Sequence, residues 1–223
     1  EAIALVAVQG PRALEVLQPL LSDDPGALSY YSGAWMTLHA EQGAGDVDVF
    51  VARTGYTGED GFELFCQWED AQQVWDAVIG AGTPCGLAAR DSLRLEAAMP
   101  LYGHELTADI TPVEAGMGRA FAKKEADFVG KAALVGREPS VVIAGLTSEQ
   151  RRAAREGAEV FLGDQKIGVV TSGQPSPTLG YPVALAHLDP AHAEVGTEVE
   201  IDIRGRRYPF TIATTPFYTR KDA

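Results

Sequence analysis

Residue types able to do chemistry concentrate in two segments. The first is Arg53-Thr54-Gly55-Tyr56-Thr57-Gly58-Glu59-Asp60-Gly61-Phe62-Glu63-Leu64, where glycine returns at every third position. Such spacing suits a loop approached closely by other groups, or a hairpin whose residues need positive φ. Tyr56 offers a flat ring inside the loop. Glu63 sits between Phe62 and Leu64 in a strand-like pattern, so the pleat turns it away from them. A carboxylate so placed either faces solvent or accepts the paired N–H donors of a ligand. The second segment, Gly86-Leu87-Ala88-Ala89-Arg90-Asp91-Ser92-Leu93-Arg94-Leu95-Glu96, puts Arg90 and Arg94 four apart on one helix face. Their repulsion calls for anions: Asp91 and Glu96 in an ion-pair network, or a ligand carboxylate or phosphate. His104, in Leu101-Tyr102-Gly103-His104-Glu105-Leu106, reads as a hydrogen-bonded structural residue rather than an acid or base.

Other chemistries lose ground. The nucleophile elbow GxSxG, the phosphate-binding loop, GxGxxG and HExxH do not occur. Cys66 and Cys85 form no CxxC, and His39, His104, His187 and His192 lack zinc-ligand spacing, so reduced thiols and no metal are expected. A net charge of −13 over 223 residues disfavours nucleic acid. The charge is uneven: residues 1–89 carry 13 acids and only Arg12 and Arg53 as bases, while 16 of the 18 bases lie beyond. An anionic ligand would therefore find its cations from Arg90 onward. No apolar run approaches the roughly 18 residues of a membrane span, and the start lacks the basic flank of a signal peptide. A soluble compartment is expected.

The elements that must position these residues follow from periodicity. Ala2 to Val8 reads as a strand, and Gly10-Pro11 introduces a helix with Leu14, Leu17, Leu20 and Leu21 on one face. Trp35 to Ala40 and Asp46 to Ala52 read as strands, joined by a hairpin around Gly43 to Gly45, with Val47, Val49 and Val51 inward. Phe62 to Cys66 is a further strand. Asp70 to Ile79 is an amphipathic helix expected to turn Val74, Trp75, Val78 and Ile79 inward. Gly86 to Met99 is helical until Pro100. Gly130 opens a short helix, residues 137–140 form a linker, and six strands follow: 141–146, 158–161, 167–171, 181–187, 198–203 and 207–213. With turns at Gly163-Asp164 and Arg204-Gly205, they suggest a small β-barrel or sandwich.

Taken in order, Arg53 to Leu64, Gly86 to Glu96, Leu101 to Leu106, Thr111-Pro112-Val113-Glu114 and Asp127-Phe128-Val129-Gly130-Lys131 resemble the glycine cleavage system T-protein family of tetrahydrofolate-dependent aminomethyltransferases. Val8-Gln9-Gly10-Pro11 and Thr215-Pro216-Phe217-Tyr218 are similar too, so the likeness runs along the whole chain. It implies transfer of an aminomethyl group from the lipoyl arm of a carrier protein to tetrahydrofolate, giving ammonia and 5,10-methylenetetrahydrofolate. Folate contacts carried over from the family fall on Glu63 of the GFE motif, Tyr56 before TGE and Arg90 of the ARD motif. A basic residue near the C-terminus transfers to Arg220. The chemistry agrees: a pterin's 2-amino and ring N–H suit a carboxylate, a glutamate tail suits a guanidinium, and a flat heterocycle suits a tyrosine ring.

The same resemblance implies an α+β fold. It has a ferredoxin-like α/β domain (37–112), part of a discontinuous antiparallel β domain (1–36 and 113–140), and a C-terminal, jelly-roll-like β-barrel domain (141–223). The family's catalytic aspartate precedes the segment at which this chain begins, so no catalytic residue is assigned and an inactive fragment of a longer enzyme is expected. The implied partners are tetrahydrofolate and the lipoylated carrier, with no membrane or nucleic acid. The implied location is bacterial cytoplasm, or the mitochondrial matrix in a eukaryote. Two other readings share the folate pocket: the tetrahydrofolate domain of a dimethylglycine- or sarcosine-type enzyme, and a non-catalytic folate-binding module.

Overall fold

The computed structural model describes residues 2–39 and 45–220, which form two compact units, Glu1–Arg90 and Asp91–Ala223. The first is built on an antiparallel sheet. Its strands are β1 (Ile3–Gln9), β2 (Gly33–Leu38), β3 (Val47–Ala52) and β4 (Gly61–Gln67), in the order β1-β4-β3-β2. One face is apolar because the pleat turns Val47, Val49 and Val51 of β3 and Phe62, Leu64 and Cys66 of β4 to the same side. Helices α1 (Ala13–Leu17) and α2 (Ala71–Ile79) supply Leu17, Val74 and Val78 to that core. The other face carries a row in register across all four strands, Leu5, Phe65, Phe50 and Trp35. β1, from the segment 1–36, thus pairs along its whole length with β4, from the segment 37–112. The expected hairpin at Gly43 to Gly45 and the end of the strand at Ala40 fall on positions 40–44, outside the described residues, apart from Gly45 itself.

Local chemistry adjusts three elements. The leucine spacing after Gly10-Pro11 predicts a helix reaching Leu21, but α1 stops at Leu17 and a 3-10 turn, Gln18–Leu20, completes it. Pro19 is the cause, since it has no amide to give an α-helical bond. Trp75, expected inward, is 41% exposed. Val74 and Val78, one turn apart, already define the buried stripe of α2, and Trp75 stands about 100° round the helix from Val74. Helix α3 (Leu87–Glu96) ends short of Met99: Ala98 takes a left-handed φ of 54° while its amide bonds Leu95 O and that of Met99 bonds Arg94 O. This paired closure is the Schellman motif, and Pro100 follows where the helix could not have continued.

In the second unit, α4 (Arg119–Ala122) and α5 (Lys131–Leu134) precede a closed barrel of β5 (Val142–Thr147), β6 (Glu159–Leu162), β7 (Gln165–Pro175), β8 (Pro182–Leu188), β9 (Glu198–Asp202) and β10 (Arg207–Ala213). Their order is β10-β5-β8-β7-β6-β9, every pairing antiparallel. Leu146, Val160, Leu188, Ile201, Phe210 and Ile212 fill its interior. Arg204 and Gly205, at φ of 60° and 79°, make the two-residue turn whose twist matches its flanking strands. β7 outruns the expected 167–171 because the register shifts between Val170 and Ser172, a bulge that alternation cannot forecast. The architecture is therefore α+β with a C-terminal barrel. No helix among the described residues is long and apolar enough to cross a membrane.

Candidate functional site

The glycine segment is the eight-residue connection between β3 and β4. Its ends are tied by Arg53, whose Nη2 and Nε donate to the Asp60 carboxylate at 2.7 and 3.1 Å. Nη1 of the same guanidinium caps the carbonyls of Gly26 and Leu28 at 3.0 and 2.9 Å, and the Asp60 hydrogen bonds raise its pKa above the usual arginine value. Of the segment's three glycines, Gly55, Gly58 and Gly61, only Gly58 has a positive φ, 79°. Gly55 and Gly61 are required for space instead: a Cβ on either would fall within 3 Å of the Gln9 side-chain amide. Gln9, at the end of β1, donates from Nε2 to the carbonyls of Thr54 at 3.0 Å and Phe62 at 3.3 Å, and accepts from the Thr57 hydroxyl at 3.3 Å.

Glu63 follows on β4. Its cross-strand neighbours are Ala7 and Ala52, and it stands on the face opposite fully buried Phe62 and Leu64. The Thr54 hydroxyl donates to its Oε2. A half-buried carboxylate flanked by two alanines has only small side chains as its cross-strand neighbours. Tyr56, also half-buried, has the Arg90 guanidinium 4.5 Å from its ring centroid. That cation–π contact holds the Arg90 guanidinium against the ring, and a guanidinium can offer a fork of N–H groups to an anionic oxygen. Tyr56, Glu63 and Arg90 all lie in the first unit. Arg220, half-buried beyond β10, belongs to the second.

Arg94 has a different fate. It is 1% exposed, with Nε to Asp91 at 2.7 Å, Nη1 to Glu105 at 2.9 Å and to Met99 O at 3.2 Å, and Nη2 to the Ser172 hydroxyl at 2.8 Å. Burial opposes ionisation of Glu105, but hydrogen bonds and the Arg94 charge outweigh it and hold the carboxyl below its ordinary value. Glu96, also buried, accepts from Ser176 and from the amide and hydroxyl of Thr178. It makes no arginine pair among the described ion pairs, contrary to the role the sequence offered it. His104 Nδ1 lies 3.1 Å from Thr171 O and 3.3 Å from Glu156. Glu114 of the TPVE motif is pulled down to about 2 by hydrogen bonds from Ser140 and Thr111, so it clamps the linker to that loop.

Gln9 and Thr54 are the site residues that sequence reasoning passed over. Gln9 lies 45 positions before Thr54, and no local periodicity joins them. One signal was available: an amide side chain at the end of a strand, immediately before Gly10-Pro11.

A four-stranded antiparallel sheet with its packed helices, followed by a closed six-stranded antiparallel barrel, defines a two-unit α+β protein. Comparison with known proteins narrows this. Residues 1–125 match the GCVT N-terminal domain and residues 142–219 the glycine cleavage T-protein C-terminal barrel domain. The chain belongs to the glycine cleavage T-protein family. It is 56% identical to an aminomethyltransferase of Corynebacterium aurimucosum, over 98% of this chain and 61% of that protein. With the aminomethyltransferase of Streptomyces coelicolor it shares 50% identity, over 99% of this chain and again 61% of the relative. The crystal structure of glycine cleavage system aminomethyltransferase T from Bartonella henselae superposes with a TM-score of 0.73 at 27% identity, covering 97% of this chain and 84% of that one. The chain thus spans 61% of the length of these curated relatives.

Proposed function

We propose that these residues form the folate-binding part of an aminomethyltransferase. The complete enzyme moves an aminomethyl group from a lipoylated carrier protein to tetrahydrofolate, releasing ammonia and forming 5,10-methylenetetrahydrofolate. The observation that carries the proposal is that residues of one loop engage both charged candidates: the Thr54 hydroxyl donates to Glu63 of β4, and the Tyr56 ring carries the Arg90 guanidinium of α3. Glu63 accepts the pterin's 2-amino and ring N–H, a charge-assisted pair that fixes the heterocycle's orientation. Tyr56 supplies a flat apolar surface for the ring system, and Arg90 a fork for the carboxylates of the glutamate tail. Arg220 is a second candidate for that tail.

The group that manages charge and protons at the reacting amine is proposed to lie in the part of the enzyme outside these 223 residues. None of the carboxylates described above is assigned that role. The three-part division into 1–36 with 113–140, 37–112 and 141–223 remains a proposal for the complete protein; within this chain the sheet already ties β1 to β2, β3 and β4. A bacterial cytoplasmic location is proposed with it. The test is methylenetetrahydrofolate formation from an aminomethyl-loaded, lipoylated carrier by the complete enzyme and by this chain alone. Turnover by the first and loss of at least about 100-fold in the second is expected, since a missing acid–base group commonly costs that much. Equal turnover would place the essential carboxylate within these residues, and folate binding without transfer by either would favour a non-catalytic module.

A further inference from the structure

Glu63 cannot be an effective anchor unless its carboxylate is held in one orientation, and a strand residue between two alanines has no neighbour in its own row to hold it. What holds it comes from the loop. The Thr54 hydroxyl donates to Glu63 Oε2, while the Thr54 carbonyl accepts from Gln9 Nε2 at 3.0 Å. Gln9 in turn is fixed at three points: its Nε2 also donates to Phe62 O at 3.3 Å, and its Oε1 accepts from Thr57, itself only 8% exposed. The amide therefore bridges both ends of the loop, and the absence of side chains at Gly55 and Gly61 is what lets it lie there.

We infer that Gln9 and Thr54 are positioning residues that set the glycine loop and aim the Glu63 carboxylate at the ligand. The inference rests on the folate reading of Glu63 and adds to it the two groups on which that contact depends. A glutamine suits the first place because one planar group both donates and accepts, satisfying two carbonyls and one hydroxyl at once. A threonine suits the second because its hydroxyl gives a single proton to the carboxylate while its backbone carbonyl is engaged by Gln9.

The test is calorimetric titration of the complete protein with tetrahydrofolate in Thr54→Val, Thr54→Ser, Gln9→Leu and Glu63→Gln, together with the Thr54→Val/Glu63→Gln double variant. It is read beside the side-chain carboxyl 13C resonance of Glu63 in the ligand-free protein. Thr54→Val is expected to weaken binding about tenfold and Gln9→Leu roughly three- to tenfold, the size of a lost hydrogen bond. Thr54→Ser, which keeps the hydroxyl, is expected to bind like the parent. In the Glu63→Gln background Thr54→Val is expected to add little, because the charged carboxylate that Thr54 aims has already been replaced by a neutral amide. Full additivity in the double variant, or no rescue by serine, would overturn the inference and leave Thr54 as a packing residue. If Glu63→Gln leaves tetrahydrofolate affinity unchanged, the folate reading fails. The 13C resonance then decides the relay alone: it must move in Thr54→Val and stay in Thr54→Ser, and an unmoved resonance in both overturns it.

Discussion

Arg90 and Arg94 stand one turn apart on α3 and meet opposite ends. Arg94 is sealed, its guanidinium donating to two carboxylates, a hydroxyl and a backbone carbonyl. Arg90 is exposed, its guanidinium laid over the Tyr56 ring. The residue type and the helix are the same, so the difference comes from what surrounds each side chain. A buried cation must be paired, because an uncompensated charge away from water costs several kcal/mol, whereas an exposed one can wait for a mobile partner. Under the proposed folate reading, structure and recognition are divided between neighbouring turns of one helix. The same division recurs among the carboxylates: Glu96, Glu105 and Glu114 are spent on internal hydrogen bonds, and Glu63 is half-open with a single hydroxyl aiming it.

Arg94→Ala has the largest expected effect. It leaves Glu105 buried without its cation, and the expected loss of stability in chemical denaturation is about 3–5 kcal/mol. Arg90→Ala should stay within about 0.5 kcal/mol in the same measurement, as surface changes do. Equal losses would erase the distinction between the two arginines.

Gly55→Ala comes next. Its Cβ would displace the Gln9 amide and cost about 1–3 kcal/mol, as overpacking does. The added variant Gln9→Ala removes the colliding group, so Gly55→Ala should cost much less in that background. A cost that persists unchanged would show that backbone conformation, rather than the Gln9 contact, demands glycine there.

Arg90→Lys sharpens the recognition side. Lysine keeps the charge and loses the planar fork, so folate with its glutamate tail should bind roughly 1 kcal/mol more weakly while a pterin without the tail binds as before. An equal loss for both ligands would move Arg90 from the tail to the ring.

The smallest effect at neutral pH concerns Glu114. Its folded pKa, about 2, lies below that of a free glutamate, so the stability it contributes is present above the ordinary glutamate range and is lost as pH falls toward 2. Melting curves from pH 5 to pH 2 should fall more steeply for the parent than for Glu114→Gln. Parallel curves would mean that Ser140 and Thr111 do not favour the charged form.

Much of this was legible because it is local. The Val47, Val49 and Val51 alternation named the buried face of β3, and Gly205 after Arg204 marked a hairpin. What escaped was set at long range. Arg94 reaches Ser172 across 78 positions and Glu96 reaches Thr178 across 82, so no spacing rule could say which arginine would be buried. The glycine triplet was legible as a crowded loop, yet only the fold shows that the crowding group is Gln9. Trp75 escaped for another reason: apolar periodicity marks a stripe, and a large ring at its margin can lie outside it.

The proposed folate reading stands on Glu63 as the pterin's anchor. The most direct measurement is the dissociation constant of tetrahydrofolate for the complete protein and its Glu63→Ala variant by calorimetry. Removing a charge-assisted pair that leaves pterin donors unmet should cost roughly 1.5–3 kcal/mol, a rise of about 10- to 150-fold in Kd, with the melting temperature little changed. An unchanged Kd would show that Glu63 does not anchor the pterin.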